Sequence, residues 1–412
     1  MVENDKGFTT KMLTTAFLKE DPFNSLNMPV YETVAFEFDS AEDIAEAFQD
    51  KKAAHAYSRS SNPTVEYLER KIISATGGRA ALALSSGMAA ISNTIIALVK
   101  PGENIISSPN LFGHTYGLFS KTLPDLGIEV RFADLLNPAG IEKICDEKTK
   151  MLFFETVTNP QLEVVNIPEL VKIARKNDML VVADSTLTPP NVFNAKSFGI
   201  DIELMSSTKF ISGGATSVGG VIVDTGNNSW ESSEILSNFY EKKKEMAFIA
   251  KLRKEVFRHL GNCMSPRTAQ LQSMGLDILA LRVERSFTNC LNLTEHLTGH
   301  PDVKKIKYPG MPGSEFYDLS KNQFGGVPGT ILTFDLESEK ACFSFMNKLQ
   351  VIRRATNMND NKSLIIHPWS TIYFEYSEAL RLEMGVHETM LRLSVGIEDI
   401  DDLIEDIDLA LK

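Results

Sequence analysis

Six short apolar segments, separated by stretches with helical periodicity, constrain the fold of this chain most strongly. They are residues 104–107, 128–132, 151–154, 180–182, 203–205 and 220–223. Nearly continuous apolar runs that alternate with helices are typical of parallel strands in a sheet that helices cover on both faces. The middle of the chain therefore predicts an α/β fold with a mostly parallel sheet flanked by helices.

The 412-residue chain divides into three zones with different patterns. Residues 1–60 show little periodicity and are interpreted as an N-terminal arm that packs on something else. Residues 61–250 contain the six strand segments and form the predicted large α/β domain. Residues 251–412 combine long helices with a strand candidate at 330–334 and end in an apolar helical stripe from Ile397 to Leu411. This last zone predicts a smaller α+β domain.

Composition and charge exclude several classes of protein. The net charge of −12 argues against general nucleic-acid binding. No apolar run approaches the roughly eighteen residues of a membrane span, and residues 1–6 do not resemble a signal peptide. Four widely spaced cysteines without a C-x-x-C pair, and histidines without an H-x-x-x-H pair, predict reduced thiols and no metal site. We therefore expect a cytoplasmic protein.

A lysine and an aspartate follow neighbouring strand segments. Asp184 closes the apolar run 179–183, and Lys209 lies just beyond the next strand segment. Ligands of such sheets bind beyond the carboxyl ends of the strands, so both side chains are expected in one crevice. A lysine amine can condense with the aldehyde of pyridoxal phosphate, and a carboxylate can keep its pyridine nitrogen protonated. Either residue alone also has an ordinary interpretation, as a surface lysine or a helix-capping aspartate.

A turn of small residues between a strand and a helix predicts a phosphate site. Residues 85–90, Ser-Ser-Gly-Met-Ala-Ala, follow the apolar run 80–84 and open the helical stretch 88–99. Backbone N–H groups at such a helix N-terminus stabilise a phosphate. The pattern differs from both the Walker sequence and G-x-G-x-x-G.

A second group of phosphate-binding side chains lies upstream. Tyr57 and Arg59 lie two residues apart, on one face of an extended segment, and offer a phenol and a guanidinium to a phosphate. A helix is expected to begin at Pro63 and Thr64, with Asn62 as its N-cap.

Several motifs occur together in a recognisable order. They are Tyr57-Ser-Arg-x-x-Asn-Pro-Thr64, Ser86-Gly-Met88, Glu155-x-x-x-Asn-Pro160, Asp184 and Ser206-x-Thr-Lys209. Their order and spacing closely resemble the Cys/Met-metabolism PLP-dependent enzymes, the cystathionine γ-synthase-like group of fold-type I. The resemblance runs from about residue 29 to the C-terminus and includes residues 391–398. It implies a fold-type I PLP-dependent transferase whose cofactor is pyridoxal 5'-phosphate.

The resemblance also implies cofactor-binding roles. Lys209 corresponds to the lysine that binds the cofactor and moves protons at the substrate's Cα and Cβ, and Asp184 to the partner of the pyridine nitrogen. The phosphate site is implied to consist of the Gly87 and Met88 amides and the Ser206 and Thr208 hydroxyls.

Other implied roles involve the substrate and a second subunit. Asn159 corresponds to a residue near the cofactor's phenolic oxygen, and Arg392 to the residue that binds the substrate α-carboxylate. Tyr57 and Arg59 are implied to reach the phosphate of a neighbouring subunit, which the arm of residues 1–60 also contacts. At least a dimer is then required, and a homotetramer built from two such dimers is expected. No nucleic-acid or membrane partner is expected.

Two positions bear on the reaction. The family usually has tyrosine at the site of Phe112, which can stack on the cofactor but has no hydroxyl to relay a proton. Either another group, such as Tyr57 or Lys209, takes that task, or γ-chemistry is slow. Asn357, within residues 355–368, resembles the O-acetylhomoserine sulfhydrylase branch, whereas methionine γ-lyases and cystathionine enzymes tend to have serine there.

We therefore predict a transferase of methionine and cysteine metabolism that converts O-acetylhomoserine and sulfide to homocysteine and acetate. The alternative is a carbon–sulfur lyase, a methionine or cystathionine γ-lyase, that forms 2-oxobutyrate and ammonia. Cystathionine γ-synthase, cystathionine β-lyase and a weakly active PLP-binding partner protein are further alternatives.

Overall fold

The computed structural model describes residues 6–17 and 21–412. Residues 1–5 and 18–20 of the predicted N-terminal arm lie outside the described residues. Helices of seven or more residues are Phe8–Thr14, Ala41–Phe48, Pro63–Thr76, Gly87–Leu98, Ile167–Lys176, Ser237–Lys243, Pro266–Asp277, Leu279–Leu297, Tyr317–Phe324, Glu339–Lys348 and Ile400–Leu411. Shorter α-helices are Gly113–Gly117, Leu123–Asp125, Ile141–Ile144, Ala247–Lys251, Phe257–Leu260 and Glu378–Glu383.

The first sheet has seven strands in the order β1-β7-β6-β5-β4-β2-β3. The strands are β1 (Ala80–Leu84), β2 (Asn104–Ser107), β3 (Glu129–Phe132), β4 (Thr149–Glu155), β5 (Leu180–Asp184), β6 (Ile202–Met205) and β7 (Gly220–Asp224). The pairs β2–β3, β2–β4, β4–β5 and β5–β6 are parallel, whereas β7 runs antiparallel to both β6 and β1. The predicted mostly parallel α/β sheet is therefore confirmed.

Successive residues of the central strands enter different cores. On β4, Phe153 packs in the core that includes the Gly87–Leu98 helix, whereas Leu152 and Phe154 pack in the core that includes the Ile167–Lys176 helix. All three side chains are buried. Because neighbouring side chains of a strand point to opposite faces, a strand covered on both sides must be apolar throughout. This requirement explains the unbroken apolar runs in the sequence.

Helix boundaries follow the capping residues. Asn62 accepts a hydrogen bond from the Thr64 amide at 2.9 Å and caps the Pro63–Thr76 helix, as predicted. At the other end of the chain the helix begins at Ile400, so Ile397 lies before it and is not part of its apolar face. The prediction of a stripe from Ile397 was therefore too long at its start.

The second sheet lies in the C-terminal zone and has five strands in the order β10-β11-β12-β9-β8. Its strands are β8 (Lys305–Lys307), β9 (Ile331–Asp335), β10 (Arg353–Arg354), β11 (Leu364–Ile366) and β12 (Met390–Ser394). Residues of the Leu279–Leu297, Glu339–Lys348 and Ile400–Leu411 helices share its hydrophobic core. This small sheet with helices agrees with the predicted α+β character of the zone.

The predicted arm is not uniform. The Phe8–Thr14 helix buries Met12 completely, in a core with Leu68 and Ile72 of the same chain. By contrast, the side chains of Phe23 and Leu26 are 89% and 93% exposed. Contact of this arm with a neighbouring subunit, and the domain boundaries near residues 60 and 250, stay predictions. None of the helices within residues 6–17 and 21–412 has the length and apolarity of a bilayer span.

Candidate active site

A cavity of about 330 Å³ lies at the carboxyl ends of β4 and β5. This volume is suitable for a small molecule. The structure brings eight of the predicted site residues together in its wall: Gly87, Met88, Phe112, Asn159, Asp184, Ser206, Thr208 and Lys209. The clustering follows from the topology, because parallel strands place their carboxyl ends at one edge of the sheet.

Lys209 is linked to the C-terminal zone of the chain. Its Nζ donates a hydrogen bond to Asn357 Oδ1 at 2.7 Å, and Asn357 Nδ2 donates to Asp360 Oδ2 at 3.1 Å. Burial and the positive charge of Arg392 lower the pKa of Lys209 to about 8, against the opposing effect of Asp360. The neutral, nucleophilic form of the amine is therefore more accessible than in an exposed lysine.

Two carboxylates lie side by side at the strand ends. Glu155 and Asp184 are the last residues of β4 and β5 and are paired in register. Asp184 Oδ1 accepts a hydrogen bond from the Thr186 amide at 2.9 Å, and Glu155 Oε1 accepts one from the Phe112 amide at 2.7 Å. Burial raises the pKa of both, and the charge of Asp184 raises the pKa of Glu155 further. A cation against Asp184 would relieve this penalty.

The start of the Gly87–Leu98 helix faces the cavity. Ser86 caps it by accepting a hydrogen bond from the Ala89 amide at 3.1 Å. A Cβ at Gly87 would lie 2.7 Å from the Ser206 Cβ, so only glycine permits this approach of the helix start to Ser206. The first N–H groups of a helix have no partner within it, so the Gly87 and Met88 amides suit an anion.

The two hydroxyl residues of the predicted phosphate site differ in their bonding. Thr208 Oγ1 donates to the Gly219 carbonyl at 3.1 Å and accepts from the Gly219 amide at 3.0 Å. Its single hydrogen is therefore already in use. The Ser206 side chain, in contrast, lies against Gly87 at the cavity wall. Ser206 is thus the better placed hydroxyl donor for an anion at the helix start.

Arg392 lies on β12, and its side chain is only 2% exposed. Its Nη1 donates to Asn159 Oδ1 at 3.0 Å, and its Nη2 donates to the Asn357 carbonyl at 3.2 Å. Its buried Nε has no hydrogen-bond partner within the described part of the chain. Burial lowers the pKa of Arg392 to about 10. A buried guanidinium without a carboxylate partner favours an anionic ligand nearby.

Residues 111–114 lead into the Gly113–Gly117 helix, and the sequence interpretation covered them only in part. Phe112 and His114 both line the cavity, with ring centroids 5.1 Å apart and planes at 68°. His114 was not predicted as a site residue, and Glu155, although part of a motif, received no role. The only signal for His114 was its position two residues after Phe112.

Tyr57 and Arg59 do not line the cavity of their own chain. Tyr57 is 44% exposed, and Arg59 places its guanidinium carbon 5.5 Å from the centroid of the Tyr57 ring. Arg59 Nη1 also donates to the Arg258 carbonyl at 2.8 Å. Within one chain, these two predicted site residues are therefore separate from the other ten.

Comparison with known proteins identifies the family. A sequence profile of the Cys/Met metabolism PLP-dependent enzymes matches residues 9–412. The chain belongs to this family. The resemblance found in the motifs is therefore confirmed, and so are pyridoxal 5'-phosphate as the cofactor and the fold-type I class.

Characterised members of the family are similar along almost the whole chain. The O-acetyl-L-homoserine sulfhydrylase 1 of Thermus thermophilus is 34% identical over 98% of this chain and 99% of its own length. The L-methionine gamma-lyase of Pseudomonas putida is 33% identical over 98% of this chain and 97% of its own length. Both a sulfhydrylase and a lyase therefore occur among the relatives.

Solved structures of the family share the architecture. The O-acetylhomoserine sulfhydrylase of Wolinella succinogenes is 48% identical, with a TM-score of 0.77 over 86% of this chain and 99% of its own. A putative O-acetylhomoserine (thiol)-lyase of Campylobacter jejuni is 29% identical, with a TM-score of 0.92 over 98% of this chain and 100% of its own. The latter structure contains N'-pyridoxyl-lysine-5'-monophosphate, that is, pyridoxal phosphate attached to a lysine.

The residues of the cavity fit this cofactor. Lys209 supplies an amine of lowered pKa, Asp184 a buried carboxylate that a cation would stabilise, and the Gly87–Leu98 helix an N-terminus for a phosphate. The three groups line one cavity. An aldehyde, a pyridine nitrogen and a phosphate therefore each meet a complementary group.

Proposed function

We propose that this protein is an O-acetylhomoserine sulfhydrylase, which converts O-acetylhomoserine and sulfide to homocysteine and acetate. The observation that carries the proposal is the hydrogen bond from Lys209 to Asn357, because it couples the reactive amine to the residue whose identity resembles the sulfhydrylase branch. The sulfhydrylases among its relatives also support it.

The cofactor would be held at its two ends by groups of the first sheet. Lys209 would hold it covalently, Asp184 would pair with its pyridine nitrogen, and the Gly87 and Met88 amides with the Ser206 hydroxyl would bind its phosphate. Thr208 would join them by turning its hydroxyl away from the Gly219 carbonyl. Phe112 would lie on its ring face and Asn159 near its phenolic oxygen. When bound, pyridoxal phosphate supplies an electron sink that makes the hydrogens at Cα and Cβ of an amino acid acidic.

Lys209 is the proposed proton carrier at the substrate's carbon atoms. It takes the proton from Cα and then moves protons at Cβ, so that acetate can leave from Cγ and sulfide can add there. Its pKa of about 8 suits this work, since a general base is most effective when its pKa lies near the working pH. Asn357 orients the amine through the 2.7 Å hydrogen bond.

Arg392 is the proposed binding group for the substrate α-carboxylate. Its Nη atoms are oriented by Asn159 and the Asn357 carbonyl, while Nε has no partner in residues 6–17 and 21–412. A carboxylate held by this fixed guanidinium would keep Cα in one orientation against Lys209, which lowers the entropic cost of reaction.

Tyr57 and Arg59 are proposed to complete the phosphate site of a neighbouring subunit, with Tyr57 also a proton-transfer candidate. Both side chains are exposed on their own chain. The exposed Phe23 and Leu26 of the N-terminal arm suit the same interface. The proposal also includes a homotetramer built from two such dimers and a cytoplasmic location. It further divides the chain into an arm of residues 1–60 and domains of residues 61–250 and 251–412.

The proposal is tested by following two products separately on purified protein loaded with pyridoxal phosphate. Homocysteine is measured with O-acetylhomoserine in the presence and absence of sulfide, and 2-oxobutyrate is measured with methionine or cystathionine alone. We expect homocysteine that depends on sulfide. Formation of 2-oxobutyrate from the thioethers, without homocysteine synthesis, would instead identify the protein as a γ-lyase.

A further inference from the structure

The segment of residues 111–114, which leads into the Gly113–Gly117 helix, is fixed at three successive residues. Tyr373 donates its hydroxyl to the Leu111 carbonyl at 2.9 Å, and Tyr376 donates to the Gly113 carbonyl at 2.6 Å. Between them, the Phe112 amide donates to Glu155 at 2.7 Å. The position of His114, the next residue, is therefore set by contacts from distant parts of the chain. Such support is expected for a side chain that must meet a ligand in one geometry.

Among the described residues, His114 differs from the other ionisable side chains of the cavity in that its side chain makes no hydrogen bond. Glu155 binds two backbone amides, of Phe112 and Asn159, and Asp184 binds the Thr186 amide. Lys209 is bonded to Asn357. His114 lines the cavity and is exposed, and its imidazole ring lies edge-to-face against Phe112.

Other histidines of the chain are engaged in structural contacts. His55 lies 3.0 Å from the Ser61 hydroxyl, His296 lies 2.7 Å from Asp408, and His367 lies 2.8 Å from the Ser370 hydroxyl. His114 instead lines the cavity that contains Lys209. An imidazole in such a position is a general acid–base group, and it is the side chain used most often for that purpose.

We propose that His114 is a proton-transfer residue for the sulfur at Cγ, an inference that rests on the proposed γ-replacement. As the S–Cγ bond forms, the sulfur of hydrogen sulfide supplies the bonding pair, and the π pair of the Cβ–Cγ double bond shifts to Cβ, which takes a proton from Lys209. The S–H bond breaks, and the proton goes to the imidazole. Because His114 is exposed, it then releases the proton to water. Phe112 has no hydroxyl and cannot transfer this proton, so His114 performs the transfer in its place.

The test compares His114→Gln and His114→Ala with a matched variant, His300→Gln, whose histidine lies outside the cavity. We expect the His114 variants to make homocysteine about a hundredfold more slowly, within the usual range for loss of a general acid–base group. Imidazole in the buffer should restore part of the rate of His114→Ala. The double variant Phe112→Tyr with His114→Gln should be faster than His114→Gln alone, because the tyrosine supplies a hydroxyl.

Two readouts separate proton transfer at sulfur from a general defect. Cofactor occupancy, measured by mass after borohydride reduction, should be unchanged in His114→Gln. Exchange of the Cα hydrogen of norvaline, which has no leaving group, should proceed in D₂O at the wild-type rate, since Lys209 performs that step. A His114→Gln variant with the wild-type rate of homocysteine synthesis would overturn the role of His114 alone. A wild-type protein that makes no homocysteine would overturn the proposed function as well.

Discussion

Arg392 and Arg59 are both predicted to bind anions, but they lie in opposite environments, one buried and one exposed. Arg392 is 2% exposed and is bonded to Asn159 and to the Asn357 carbonyl. Arg59 is exposed, lies over the ring of Tyr57 and does not reach the cavity. One chain thus completes the enclosed half of the site, where Lys209, Asp184 and Arg392 lie, and leaves the Tyr57–Arg59 half on its surface.

The difference has a physical reason. The enclosed half relies on buried charges whose protonation states depend on one another, and such groups must be positioned by a single rigid core. An exposed arginine contributes little within its own chain, because water screens its charge. Its interaction with an anion is stronger where a second subunit excludes that water. The following predictions test this division, beginning with the largest expected effect.

Replacing the amine of the enclosed half should have the most severe consequence. Lys209→Ala removes both the proposed attachment group and the proton carrier, so we expect turnover to fall by at least about four orders of magnitude. Circular dichroism and size-exclusion chromatography should show an unchanged fold and assembly, because among the described residues the side chain of Lys209 loses only its hydrogen bond to Asn357. Turnover within tenfold of the wild type would contradict the assignment of Lys209.

Loss of Arg59 from the exposed half should lower activity less than loss of Lys209. A second chain that carries Arg59 should restore the activity. Arg59→Ala removes charge-assisted hydrogen bonds worth about 1.5–3 kcal/mol each, so we expect activity to fall by about 10- to 100-fold. Mixed dimers of Arg59→Ala and Lys209→Ala, co-expressed and isolated through separate affinity tags, should have about half of the wild-type sites, since one of the two sites in each mixed dimer is intact. Mixed dimers without activity above that of the parents would show that Arg59 acts within its own chain.

The enclosed half could largely be predicted from the sequence because its residues are tied to local patterns. Asp184 and Lys209 follow buried strands, and Gly87 follows a strand that leads directly into a helix, so topology alone brings them together. Asn62 was also predicted correctly, because its cap bond to Thr64 depends only on neighbouring residues.

Other features depend on contacts that no local pattern records. His114 is placed by Tyr373 and Tyr376, which lie more than 250 residues further along the chain. The bonds of Thr208 to Gly219 show that its hydroxyl is engaged, which its motif did not indicate. Whether Tyr57 and Arg59 act on another subunit is likewise not contained in the pattern of one chain.

The enclosure of Lys209 should be visible in its titration. Burial and the charge of Arg392 lower its pKa to about 8 from the ordinary 10.5. The neutral amine attacks the cofactor aldehyde, so the rate at which cofactor-free protein incorporates pyridoxal phosphate should rise with pH and level off above about pH 8. Stopped-flow absorbance measures this rate. In Arg392→Leu, loss of the positive charge should move the midpoint of this pH dependence to higher pH. An unchanged midpoint would show that the charge of Arg392 does not affect the pKa of Lys209.

The smallest expected effect concerns Asn357, where the enclosed half meets the C-terminal zone. Its side chain spans two contacts, from Lys209 Nζ at 2.7 Å and to Asp360 at 3.1 Å, and the shorter serine cannot maintain both. Loss of one such hydrogen bond costs about 1 kcal/mol, or roughly fivefold. We expect Asn357→Ser to lower the ratio of homocysteine to 2-oxobutyrate by about this factor, because a less restrained Lys209 can return a proton to the substrate before sulfide adds. Asn322→Ser, at an exposed position of the Tyr317–Phe324 helix, is the matched control and should leave the ratio unchanged. An equal ratio in both variants would mean that Asn357 positions Lys209 without deciding between replacement and elimination.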